Sequence, residues 1–197
     1  LQQRHFFAER VQPHLQRKGK LCVLISDALR YEVGQELQRL IRQENRFDAE
    51  LAPMLASLPS YTQLGMAALL PHQRLELAED GSGDVLADGI SAKGSDNRAR
   101  ILAQAVPAST VVLAKDVLTM GKEESRALVR GHEVVYVYHN LIDKVGDTRD
   151  TEERVFAAAQ DTLGELLLLI KKLVNANASH VLVTADHGFI YQNQPLQ

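Results

Sequence analysis

A single cysteine in 197 residues, Cys22, excludes an internal disulfide. Its place in the apolar run Leu21-Cys-Val-Leu-Ile gives it a packing role and favours a reducing, cytoplasmic setting. The chain has no apolar segment of eighteen residues and opens on no signal peptide, so a soluble protein with no membrane partner is expected. It also lacks a basic excess: 22 Lys and Arg against 25 Asp and Glu leave a net charge of -3. With a pI near 6.2 there is no global attraction to nucleic acid or membrane, and a phosphate-bearing partner must be held locally. No internal repeat or low-complexity tract is present. What remains is a chain with 45% hydrophobic residues, enough for one core, and residues 1–197 are read as one domain. A start at Leu1 and an end soon after a strand-like run suggest a domain excised from a longer protein and lacking its C-terminal part.

Taken in order, Phe6, Phe7, Val11 and Leu15 at roughly helical spacing predict an amphipathic helix over 3–17 that packs on a sheet. The run Lys20–Ile25 reads as a strand, followed by a helix over 28–42 that Asp27 is placed to cap. Phe47–Leu51 reads as a short strand, and 60–69 as a helix stopped by Pro71. Residues 72–100, with Asp80-Gly-Ser-Gly-Asp and Ala92-Lys-Gly-Ser-Asp-Asn, form the least regular stretch and are expected to be a mobile surface loop. Helix over 97–105, strand at Ser109–Leu113, helical pieces near 115–119 and 122–129, and strand at Val134–Tyr138 follow. A long helix over 150–175 leads to a last strand that ends near Ala185. Alternating strands and helices imply parallel βαβ connections, hence an α/β fold: a three-layer α/β/α sandwich with a mostly parallel sheet and ligands beyond the strands' carboxyl ends.

Three strand-like runs end in chemistry-bearing residues: Ser26-Asp27, then His139-Asn-Leu-Ile-Asp143-Lys-Val-Gly-Asp147, then Ala185-Asp186-His187-Gly. One such Asp can serve as a helix cap worth about 1 kcal/mol. Four carboxylates and an imidazole, with no thiolate, instead suit zinc, manganese or another divalent ion bound through O and N. Asp143 and Asp147 stand four apart, and Asp186 and His187 can straddle two ions, an arrangement that clamps the attacking and leaving oxygens of a phosphoryl group. Leu58-Pro-Ser60-Tyr-Thr62 supplies hydroxyls at a loop-helix junction, where a nucleophile can sit and backbone amides favour an anion. Arg30 is placed either to bind substrate phosphate or to orient a carboxylate. His139, at a strand end, reads as a satisfied structural histidine.

Leu24-Ile-Ser-Asp27-Ala-Leu-Arg-Tyr-Glu, Leu58-Pro-Ser-Tyr-Thr62-Gln-Leu-Gly-Met, Tyr138-His-Asn-Leu-Ile-Asp143-Lys-Val-Gly-Asp147 and Thr184-Ala-Asp186-His187-Gly-Phe occur in this order. Together they resemble the PglZ domain, a family of the alkaline phosphatase superfamily known from BREX-type phage-resistance systems. The resemblance spans the chain from about residue 19. It implies an alkaline phosphatase-like fold and a metal-dependent phosphomono- or phosphodiesterase with two divalent ions, zinc first among them. By the same resemblance, Asp27, Asp186 and His187 would hold one ion beside the nucleophile Thr62, and Asp143 with Asp147 the other.

Many superfamily members carry histidine where Asp147 stands, and a further histidine beyond Asp-His-Gly has no counterpart after His187, so the second metal site is expected to be incomplete here. Ser57-Leu-Pro-Ser60 also resembles the sulfatase nucleophile motif, which keeps Ser57 and Ser60 as alternatives to Thr62. The register of the Phe-Pro-Thr-x-Thr pattern in nucleotide pyrophosphatase-like members favours Thr62. Implied partners are a phosphate ester, a nucleotide or nucleic acid included, and other phage-defence proteins. The alternative is a catalytically incomplete phosphatase-like module that binds a partner protein or nucleotide in a defence complex.

Overall fold

Four apolar runs form one parallel sheet in the order β5-β6-β1-β7, where β1 is Leu21–Ser26, β5 Ser109–Leu113, β6 Val134–His139 and β7 His180–Thr184. A computed structural model describes residues 1–44, 46–140 and 155–188, and the side chains of all of these except 155–158. The two central strands are buried at all six positions, as expected of parallel strands covered on both faces. In register, Leu21 lies between Val134 and His180, and Ile25 between Tyr138 and Thr184. The carboxyl ends of β1, β6 and β7 therefore lie side by side.

Strand alternation divides the core in two. Val23, Ile25, Tyr136 and Tyr138 face a layer that holds Phe6, Val11, Met66, Leu69 and Leu102. Cys22, Leu24, Val135 and Val137 face the other layer, with Leu37, Ile41, Val117, Leu166, Leu169 and Leu173. The first layer is built from the N-terminal helical segment, α3 (Thr62–Ala68) and α4 (Ser95–Ala105). The second comes from α2 (Tyr31–Arg42), α5 (Ala114–Thr119), α6 (Lys122–Gly131) and α7 (Val155–Asn175). These are the three layers of an α/β/α sandwich. Cys22 is fully buried, and burial pushes its thiol up to about 12, in keeping with a packing role. Among the described residues no helix is long and apolar enough to cross a membrane.

Three expectations need correction. The leading helix is divided into a 3-10 turn (Gln3–His5), a π-helical turn (Phe7–Val11) and the short α1 (Gln12–Gln16). Pro13 lies in the first turn of α1 and has no N–H to return to the preceding turn, so the regular ladder cannot run through it. Phe47–Leu51 is not a strand. The Ala49 carbonyl accepts from Gln38 Nε2 and Arg42 Nε, both at 3.0 Å, so side chains of α2 take the place of a neighbouring strand. Residues 72–100 are ordered structure instead of a loose loop: β2 (Leu75–Leu77), β3 (Val85–Ala87) and β4 (Ile90–Ser91) form an antiparallel sheet that leads into α4. The turn at 80–84 joins β2 to β3, and the one at 92–94 leads from β4 into α4. Asp88 accepts from the N–H groups of Gln73 and Arg74, while Gly81, Gly83 and Gly89 take positive φ.

Tyr136 has no exposed surface, and its hydroxyl donates to the Leu69 carbonyl at 2.9 Å, at the end of α3. This bond fixes α3 against the sheet. Tyr136→Phe keeps the ring but leaves that carbonyl without its donor, and should lower stability by about 1–2 kcal/mol. A fall in denaturant midpoint with unchanged slope is the expected result; an unchanged midpoint would show that the bond does not hold the helix.

Candidate functional site

Asp27 and Asp186 both lie just past the ends of their strands, on the sheet face that α3 covers. Ala28 takes φ of 58°, a left-handed conformation that costs a non-glycine residue about 1 kcal/mol or more. In that conformation its N–H donates to Asp186 Oδ1 at 3.1 Å. The strain thus joins the ends of β1 and β7. Helix α2 begins only at Tyr31, with Arg30 at its N-cap and no side-chain cap. Asp27 is therefore not the helix cap that the sequence allowed, and its carboxylate turns to the site. Thr62 likewise is the first residue of α3, with Tyr61 at the N-cap and no side-chain cap.

Asp27, Asp186 and His187 each present one ligand atom, all within 4.8 Å of one another. His187 Nε2 stands 3.4 Å from Asp27 Oδ1 and 3.4 Å from Asp186 Oδ2. Thr62 Oγ1 is 3.0 Å from the same nitrogen. The His187 Nδ1–H faces the Gly188 carbonyl at 2.9 Å, and because a carbonyl only accepts, the proton of a neutral ring belongs on Nδ1. The Nε2 lone pair then points at the carboxylates. Asp27 Oδ1 and Asp186 Oδ2 are buried and make no hydrogen bond. Zinc bonds of about 2.0–2.1 Å set neighbouring tetrahedral ligand atoms about 3.3–3.4 Å apart, so this donor set fits a divalent ion. The structure thus brings Asp27, Asp186, His187 and Thr62 together.

Without a cation the cluster holds protons. Burial, then the Asp27 charge, pushes the Asp186 carboxyl up to about 7, although His187 and the Ala28 N–H pull the other way. His187 is raised to about 9, first by Asp27 and next by the Asp186 charge, against the effect of its own burial.

The other candidates have distinct surroundings. Ser57 gives its backbone N–H to Gln3 Oε1, and Ser60 is exposed. Arg30 pairs with Glu32, and its Cγ lies 3.9 Å from where a side chain on Gly188 would begin. Asp143 and Asp147 lie outside the described residues. His139 is buried on the opposite face, between Ser26 Oγ at 3.0 Å and Glu165 Oε2 at 3.0 Å, with burial lowering its pKa. It is the satisfied structural histidine that the sequence suggested.

Two supporting residues escaped the sequence reading. Gln3 is buried and reaches the Ala185 and Asp186 carbonyls, and its only sequence signal was a polar residue on the apolar side of the first helical turn. Gly65 lies so close to Asp186 that a Cβ would overlap its carbonyl oxygen and stand 2.7 Å from its carbonyl carbon. A glycine inside an amphipathic helix was its only signal.

Replacing a mid-helix glycine by alanine ordinarily stabilises by about 1 kcal/mol. Gly65→Ala should instead destabilise, by about 1–3 kcal/mol, because backbone must move. A chemical-denaturation midpoint at or above the parent's would show that the close approach is absent.

The titrations give a second expected outcome. Both groups have raised pKa values, so each contributes stability at low pH: for Asp186 it is complete below about 4 and lost through about 7, for His187 complete below about 6.5 and lost through about 9. The chelator-treated chain should thus melt lower at pH 8.5 than at pH 5, and zinc should stabilise it more at the higher pH because binding releases these protons. Stabilisation by zinc that does not change with pH would contradict this.

Residues 6–197 match the family model described as the BREX system PglZ alkaline phosphatase-like domain. The alkaline phosphatase-like protein BrxZ of Escherichia coli O9:H4 (strain HS) is 46% identical over 197 residues, covering 98% of this chain and 22% of that protein. The alkaline phosphatase-like protein PglZ of Bacillus cereus (strain H3081.97) is 39% identical over 196 residues, covering 99% of this chain and 23% of that protein. The chain thus spans less than a quarter of the length of these relatives. By the match along nearly its whole length, and with a parallel α/β sheet of the kind that match implies, this chain belongs to the PglZ alkaline phosphatase-like family.

Proposed function

We propose that this domain is a metal-dependent phosphoesterase that works through a covalent Thr62 intermediate. The observation that carries the reading is the Thr62 hydroxyl 3.0 Å from His187 Nε2, in the same cluster as two buried carboxylate oxygens without hydrogen bonds. Asp27, Asp186 and His187 would hold a divalent ion, and an imidazole beside two carboxylates is a donor set that suits zinc. Bound there, the ion supplies positive charge for a phosphoryl oxygen and for the attacking oxygen. Asp143 and Asp147 are the proposed ligands of a second ion, one that two carboxylates and several waters would satisfy as Mg²⁺ or Mn²⁺ more readily than as zinc.

Thr62 stands at the first turn of α3, where Tyr136 below and Gly65 beside Asp186 limit its movement. Its Oγ attacks phosphorus, the bond to the leaving oxygen breaks, and the hydroxyl proton is balanced on the departing alcohol. Water then cleaves the phosphothreonine, which releases phosphate or its monoester and restores the Thr62 hydroxyl. Arg30, whose Cγ lies close to Gly188, would neutralise a phosphate oxygen. The BREX description of the matching family supports a setting beside other proteins of such a defence system, and we further propose a cytoplasmic location and a nucleotide or nucleic-acid phosphoester as substrate.

Thr62→Ala should abolish turnover of an aryl phosphodiester by the zinc- or manganese-loaded chain, while Ser57→Ala and Ser60→Ala retain most of it. Loss confined to Ser57→Ala would move the nucleophile. An inactive parent chain that nevertheless binds metal would favour the non-catalytic defence module.

A further inference from the structure

Gln3 connects, through one amide, two parts of the site that lie far apart in sequence. Its side chain is buried, with 1% of its surface exposed. Nε2 donates to the Ala185 carbonyl at 3.2 Å and to the Asp186 carbonyl, and Oε1 accepts the Ser57 N–H at 3.0 Å. The same segment is bound to the nucleophile loop through its backbone: Gln3 N–H donates to the Leu55 carbonyl and Leu55 N–H to the Leu1 carbonyl, both at 2.9 Å.

These partners share one physical need. β7 ends at Thr184, so the Ala185 and Asp186 carbonyls lie beyond its ladder with β1, and Ser57 lies in irregular backbone. Buried and half-buried backbone groups of this kind need a donor or acceptor from elsewhere. A primary amide offers both on one rigid plane, donors at one end and an acceptor at the other. Gln3 thereby sets the spacing between Asp186 and the loop that leads, five residues after Ser57, to Thr62.

We propose that Gln3 is a positioning residue that holds the nucleophile loop in register with the Asp186–His187 metal ligands. The proposal rests on the phosphoesterase reading for its catalytic consequence and on the hydrogen bonds alone for its structural one. Gln3→Glu separates the two ends of the amide: it keeps an acceptor for Ser57 but turns an acceptor oxygen toward two carbonyls. Gln3→Ala removes both ends. Gln38→Ala is the control, because Gln38 Nε2 also donates to a backbone carbonyl, that of Ala49 at 3.0 Å, but on α2 in the opposite layer.

The test uses the whole chain, with cobalt(II) as a spectroscopic probe of the metal site. Both Gln3 variants should bind cobalt about tenfold or more weakly, with an altered visible spectrum, as is usual when support for a metal ligand is lost. Their kcat on an aryl phosphodiester should fall about tenfold while KM changes little, and amide exchange over 57–62 should rise in the chelator-treated chain. Gln38→Ala should lower the melting temperature only. Gln3 variants with parental cobalt affinity, spectrum and exchange over 57–62 would overturn the proposal, leaving the amide as ordinary structural glue. A parent chain that neither binds cobalt nor turns over substrate would overturn the phosphoesterase reading, and the exchange over 57–62 would then decide the role of Gln3 by itself.

Discussion

Two carboxylates in a buried space without enough donors are the constraint on which the site depends. Asp27 Oδ1 and Asp186 Oδ2 make no hydrogen bond and share one imidazole nitrogen at 3.4 Å. In a medium less polar than water, like charges within 4.8 Å of one another repel strongly, and the group responds by taking up protons or a cation. The raised pKa values of Asp186 and His187 are the proton form of that response. A divalent ion is the other, and His187 Nε2 already stands from each carboxylate oxygen at the separation that such an ion imposes.

The fold supplies that crowding through topology. β1 lies between β6 and β7, so the chain must leave the sheet after β1 and return on both sides of it. The site forms at the carboxyl edge where those paths separate, as is general for open parallel sheets. Around it the structure accepts local costs: a left-handed Ala28, a glycine inside α3 against Asp186, and a buried amide whose partners are all backbone. Each brings polar groups closer than regular packing would. The cost is borne by a sheet whose two central strands are almost wholly buried and by two apolar layers that hold it from either side.

The family match and the cluster agree in kind, though they come from different facts. Similarity along nearly the whole chain establishes the alkaline phosphatase-like family, while the geometry shows which side chains this molecule gathers. His139 illustrates why both matter. It lies at a strand end like the ligands, yet strand alternation sends it to the opposite face, where Ser26 and Glu165 satisfy it. An imidazole near a site in sequence is thus separated from it by one step of the pleat.

The parallel α/β architecture, the strand ends and the Asp-His pair were legible in the sequence because they rest on local rules. Continuous apolar runs mark buried strands, and a polar residue at the end of such a run must emerge at the sheet edge. The irregular backbone of Phe47–Leu51 and the paired strands within 72–100 escape those local rules for the complementary reason. Whether an extended run finds a strand partner, or turn residues join paired strands, depends on neighbours distant in sequence. Gln3 and Gly65 were invisible for the same cause: one spans 183 residues to reach Asp186, and the other is needed only because α3 lies against that residue. Residue type and period therefore determined what the elements were and which groups they carried. Only tertiary packing decided that Asp27, Thr62, Asp186 and His187 meet at one point, because that contact depends on strand order and helix placement, which no local pattern encodes.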